Sequence, residues 1–138
     1  MQTSSEIKAV VQQIYDAMSS GKVDEFGKLL SQQAGTLLIG TDPREWGSGY
    51  EVITRFFGQQ IMEMGGTIEF EGSDIEAYSE GSVGWAADHP TMVLKDGTRI
   101  PFRGTCVLHR AGDSWKLVQW HVSVGAANEE VVGKELTI

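Results

Sequence analysis

One cysteine, three histidines and three prolines are all that 138 residues hold of the types that crosslink a chain, cluster around metals or stiffen turns. A lone Cys106 excludes an internal disulfide and a thiolate metal cluster. His89, His109 and His121 lack the close or helical spacing of a metal-ligand motif, so no metal is expected. Positive charge is scarce as well. Eleven Lys and Arg against 19 Asp and Glu leave a net charge of −8. That argues against a nucleic-acid partner, which needs a basic face, and an anionic membrane surface would repel the chain. No apolar run approaches the roughly 20 residues of a membrane span. The N-terminal MQTSSEIKAVV lacks the basic region, apolar core and small-residue cleavage site of a secretory signal, so a cytoplasmic protein is expected. Internal repeats, low-complexity tracts and linkers are also missing. The expected organisation is one domain over residues 1–138, with a hydrophobic content of 41% that suffices for a core.

The first half of the chain carries helical periodicity. Thr3 and Glu6 form a T-x-x-E capping box. Ile7, Val10, Val11, Ile14 and Met18 then fall on one helical face with Tyr15 beside them, and Gly21 stops the helix. A short second helix buries Phe26, Leu29 and Leu30 and closes at Ala34-Gly35. Residues 36–39 read as a strand and residues 40–49, GTDPREWGSG, as a loop. A third helix over about 50–64 carries the stripe Val52, Ile53, Phe56, Phe57, Ile61 and Met64. Gly65-Gly66 ends it.

From Thr67 the period changes to two. Residues 83–94 read as one strand, and Asp96-Gly97 is a two-residue hairpin signal. Counting outward from that turn pairs Leu94 with Arg99, Ala87 with Cys106 and Trp85 with Leu108, and cross-strand partners share a face. A last hairpin, residues 103–125, turns at Ala111-Gly112-Asp113-Ser114 and holds histidines, Arg103, Cys106 and two tryptophans. The tail, 126–138, has weak patterning. Helices first and an antiparallel meander after them predict an α+β domain with helices on one sheet face.

Two segments carry a family resemblance: IGTDPREWGSGY, residues 39–50, and WKLVQWHVSVG, residues 115–125. The chain resembles SnoaL-like domains of the nuclear-transport-factor-2-like, or cystatin-like, superfamily over nearly its whole length. Its closing strand is also similar to the association domain of calmodulin-dependent kinases. The resemblance implies a cone in which three N-terminal helices pack on a curved antiparallel sheet around a deep pocket, with the outer sheet face building a homodimer. It implies pocket positions at Ala87, Cys106 and Val122 on strands and Ile53, Phe57 and Ile61 on the third helix. The kinase domains carry arginines at those three strand positions and this chain carries none, so the ligand expected is small and apolar or weakly polar. No cofactor is expected.

Two function classes follow. One is a small-molecule-binding domain whose pocket adds Trp46 as a plug and Trp85, Leu108 and Trp120 as walls to those six positions. The other is a cofactor-independent isomerase, dehydratase or cyclase that moves a proton with His121, Asp88 and Tyr15, which no acidic residue at the aligned strand positions supports. Strand alternation sets Val118, Trp120 and Val122 on one face and Leu117, Gln119 and His121 on the other. With Trp120 inside, His121 faces outward. A register change would reverse it.

Overall fold

A computed structural model describes residues 1–137. The elements are β1 (Gln2–Thr3), α1 (Ser5–Ser19), α2 (Val23–Leu29), β2 (Leu37–Ile39), β3 (Trp46–Ser48), α3 (Tyr50–Glu63), β4 (Glu69–Glu71), β5 (Glu76–Glu80), β6 (Val83–Asp88), β7 (Thr91–Val93), β8 (Arg99–Pro101), β9 (Arg103–Ala111), β10 (Ser114–Ser123) and α4 (Asn128–Val132). A seven-stranded sheet runs in the order β1-β5-β6-β9-β10-β2-β3, and β4-β7-β8 form a smaller one. This is the α+β, cystatin-like architecture expected. The main sheet is mixed, however, because β2 runs parallel to β10. The chain crosses from β1 at one edge to β2 near the other through α1 and α2, and a helical crossover of that kind brings strands in parallel.

The helix starts follow local chemistry. Ser4, not Thr3, caps α1, its Oγ accepting the Ile7 N–H at 3.2 Å. Thr3 is drawn into β1, opposite Tyr78. Ile7, Val11, Ile14, Tyr15 and Met18 then line the buried face of α1. The second helix stops at Leu29, short of Ala34-Gly35, and Leu30 begins an extended connection to the sheet. Glu6 pins α1 to the β9–β10 hairpin: its carboxylate accepts the Trp115 indole N–H at 2.9 Å and pairs with Arg110 at 3.3 Å. Arg110 in turn lies 4.5 Å over the Trp115 ring, a cation–π contact. Residues 46–48, expected as loop, form strand β3 against β2.

Two registers differ from the count made on the sequence. The turn after β7 has three residues, Lys95-Asp96-Gly97. Leu94 accepts the Gly97 N–H at 2.9 Å and donates its own N–H to Thr98 at 2.8 Å. Gly97 takes a positive φ of 88°, the left-handed position that closes a three-residue hairpin. The extra residue slides the pairing by one. Cys106 lies opposite Ala86, Leu108 opposite Gly84 and Gly104 opposite Asp88. Leu94 faces Thr98 rather than Arg99. The expected single strand over 83–94 also breaks at His89-Pro90, where the ladder bends from the large sheet into the small one. Phe102 N–H donates to Pro90 O at 2.9 Å and carries the register through the bend.

The β9–β10 turn is the two-residue reversal expected, with Gly112 at φ 63°. Beyond it, the ladder shifts between Leu117 and Gln119, a β-bulge that leaves one residue of β10 extra. The bulge resets the alternation. Leu117 and Trp120 are both buried, although simple alternation sets them on opposite faces. His121 is exposed.

Candidate functional site

The curved sheet and the helices enclose a cavity of about 300 Å³. Its walls are set by alternation and by helix spacing. Leu38 of β2 and its pairing partner Trp120 of β10 face inward together, with Val122 two residues on. Phe56, Phe57 and Gln60 come from one side of α3. Phe70 of β4, Met92 of β7 and Phe102, between β8 and β9, come from the bend in the sheet, and Met18 from α1. Ring contacts tie the wall together. Phe70 stacks on Phe102 at 5.6 Å, and Phe26, behind the wall, stacks on Phe57 at 4.0 Å with an interplanar angle of 10°. A cleft that is mainly aromatic with few polar groups is the usual form of a small-molecule site.

The polar groups gather where β2 and the following loop meet α3. Glu45 Oε1 accepts the Gln60 Nε2 hydrogen at 2.8 Å, and its Oε2 accepts the Asp42 N–H at 3.1 Å. Gly40 N–H donates to the Glu45 carbonyl at 2.8 Å. Arg44 closes the loop from outside with a bidentate pair to Asp42. These hydrogen bonds hold the Asp42 carboxyl down at about 2. Glu63 stands at the exposed end of the cavity.

Of the ten expected pocket positions, Phe57, Trp120 and Val122 line this cavity. Ile53, Ile61 and Leu108 are buried in the core without bordering it. Trp46 is no plug: it is 62% exposed, because Gly47 turns toward Ile53 and Phe56 and sends its strand neighbours outward. Ala87 is exposed, and Trp85 stacks on Tyr78 at 6.2 Å on the face away from the helices. Both corrections have one cause, the three-residue turn, which hands the inner positions of β6 to Gly84, Ala86 and Asp88. Leu38 was not legible in the sequence: β2 is apolar at all three positions, and only its parallel pairing with β10 sets Leu38 beside Trp120. Phe70 and Phe102 needed the sheet's bend.

The register places an acid inside after all. Asp88 is 5% exposed and accepts the Ser73 N–H at 3.2 Å on each oxygen and the His89 N–H at 2.8 Å. Tyr15 is buried against it, and the two border a void of about 10 Å³ with Cys106, Gly104 and Trp120. Burial, and then the negative charge of Asp88, push the Tyr15 phenol well above its ordinary value. Burial pushes the Cys106 thiol up to about 12, against a smaller opposing hydrogen bond from the Ala86 backbone. Such a thiol stays protonated and is a poor nucleophile. Tyr15 lies 6.5 Å from Trp120 and 5.8 Å from Phe70, ring to ring, and Trp120 borders both the small void beside the Tyr15–Asp88 pair and the large cavity. Thus two of the three expected proton carriers are brought together, while His121 is left outside, opposite Thr105 and Ile39. Among the described residues, no group of three or more His, Cys, Asp and Glu is disposed to hold a metal ion, and no helix is long and apolar enough to cross a membrane.

Solved structures share this architecture. An NTF2-like protein of unknown function from Pseudomonas putida KT2440 superposes with a TM-score of 0.82 at 16% identity, covering 98% of this chain and 96% of that one. A candidate dehydratase of the NTF2-like family from Streptomyces avermitilis gives 0.71 at 20% identity over 88% and 95%. A cystatin-like-fold protein from Caulobacter vibrioides gives 0.75 at 15% identity over 92% of each chain. At such identities the likeness is one of fold. No curated protein sequence matches the chain. The model of the SnoaL-like domain matches residues 7–127, from the first buried residue of α1 to the residue before α4, and the chain belongs to that family.

Proposed function

We propose that the domain binds a small apolar or weakly polar molecule in the cavity between sheet and helices. The supporting observation is the cavity itself: about 300 Å³ walled by Phe56, Phe57, Phe70, Phe102 and Trp120. A packed interior normally leaves few voids larger than a water molecule. Gentle purification followed by denaturation and mass spectrometry is expected to release a compound from the native protein. The variant Val122→Trp, which puts an indole into the cavity opposite Gly104, is expected to release none while keeping its circular dichroism. Equal yields from the two proteins, or an empty native protein that also ignores apolar probes, would sink this reading.

A second reading is favoured by one observation, the buried Tyr15–Asp88 pair behind Trp120. It is a cofactor-independent isomerase, dehydratase or cyclase, with Asp88 as proton carrier and Tyr15 as hydrogen-bond donor. His121, on the outer face, has no part in it. For such chemistry Trp120 or Phe70 must yield to let substrate reach the pair.

We also propose that the domain pairs with a second copy through the outer sheet face, in a reducing cytoplasmic setting that suits its free, buried Cys106. The exposed Trp46 and the half-buried Trp85 and Tyr78 stand on the sheet face away from the helices, and apolar surface left open there suits an interaction site. Light scattering should give twice the 15.1 kDa chain mass, and a Trp85→Glu variant should give the single mass. A monomer at high concentration would exclude the dimer.

A further inference from the structure

We propose that the molecule this cavity takes is an organic cation, with a primary or secondary ammonium on an aromatic or aliphatic body. The inference rests on the cavity being a binding site, and it departs from the apolar or weakly polar ligand above by giving the apolar body one charged end. Among the described residues, two charged side chains line the cavity, Glu45 and Glu63, both acidic, and no Lys, Arg or His does. Lys95, in the turn after β7, donates to the Gly65 carbonyl just past α3 at 2.8 Å.

Glu45 is built into its place. Gln60 holds one oxygen and the Asp42 N–H the other, which fixes the carboxylate while leaving lone pairs on both oxygens for a ligand. Gly40 makes the arrangement possible, since a Cβ there would collide with the Glu45 carboxylate. An ammonium group donates and does not accept, so it matches an acceptor-only carboxylate with a charge-assisted hydrogen bond. The aromatic wall adds to this, because ring faces attract cations that have shed water. A carboxylate ligand meets the reverse: like charge at the entrance and no cationic partner inside. A neutral ligand gains the apolar contacts alone.

The test uses three probes with one body: 1-naphthylmethylamine, 1-naphthylmethanol and 1-naphthoate, titrated calorimetrically into the full chain at neutral pH and low salt. The amine should bind about tenfold or more tightly than the alcohol, as a charged hydrogen bond provides, and the carboxylate most weakly. In a Glu45→Gln, Glu63→Gln double variant the amine should lose its advantage over the alcohol, the two probes being compared in the same protein. Because Glu45 also braces its loop, Glu63→Gln alone, on the exposed end of α3, should still lower amine affinity measurably in a protein of unchanged melting temperature. An amine that binds no better than the alcohol overturns the cationic class while leaving the cavity as a binding site. An amine preference that survives the double variant overturns the role given to these two carboxylates. Failure of all three probes to bind overturns both this inference and the binding reading.

Discussion

Replacing Phe26 with alanine is expected to cost about 3–5 kcal/mol of stability, the range for deleting a buried aromatic ring. Phe26 is fully buried. Its ring stacks on Phe57 at 4.0 Å and lies 6.4 Å from Trp120. Its removal forfeits the transfer energy of the ring and leaves a hole that α2, fixed between α1 and α3, cannot close. The melting temperature should fall by roughly 10–15 °C, and the urea midpoint should drop with little change in slope. The same substitution should weaken ligand binding, because Phe57 and Trp120 form the cavity wall and Phe26 is what they lean on. A Phe26→Leu variant should restore most of both. A loss below about 1 kcal/mol would mean that the three rings do not pack as a unit.

Raising the pH should unfold the domain through two buried acids. Cys106 and Tyr15 both have folded values above their ordinary ones, so the folded state holds these protons more tightly than the unfolded chain does. Their contribution is therefore fully present below the unfolded values and is lost as pH rises past them. For Cys106 the window opens at 9.0 and closes at about 12, and across it the loss is on the order of 4 kcal/mol. For Tyr15 it opens near 10.0, and the folded phenol resists ionisation beyond that. Urea unfolding between pH 7 and 11 should show little change from these two groups up to about pH 8.5 and a steepening decline after it. A Cys106→Ala variant should delay the onset by about one pH unit, leaving the Tyr15 component. Identical wild-type and variant curves would show that the thiol is not held protonated by its surroundings.

How much of this was legible beforehand depended on the range over which each feature is decided. The α1 stripe of Ile7, Val11, Ile14 and Met18 was readable because helical burial follows spacing within a few turns. The same holds for Ile53, Phe57 and Ile61 on α3. The choice between a two- and a three-residue turn at Lys95-Asp96-Gly97 was not readable. The dipeptide Asp-Gly serves both, and only the packing of the two strands against the helices selects one. That single step moved Ala87 and Trp85 outward and carried Asp88 inward beside Tyr15. The bulge after Leu117 was likewise invisible in the strand's own pattern, since it exists to let Leu117 and Trp120 face the same interior.

The amino-acid order by itself determined the helical stripes, the Gly112-Asp113 turn, the acidic balance and the α+β succession of elements. All of these come from interactions between near neighbours along the chain or from sums over it. Tertiary structure alone decided the register of β6 on β9, the burial of Asp88, the outward turn of Trp46, and the space left unfilled among five aromatic rings. Those are outcomes of how distant segments share one interior, where a shift of one residue reverses a strand's faces and no local propensity opposes it.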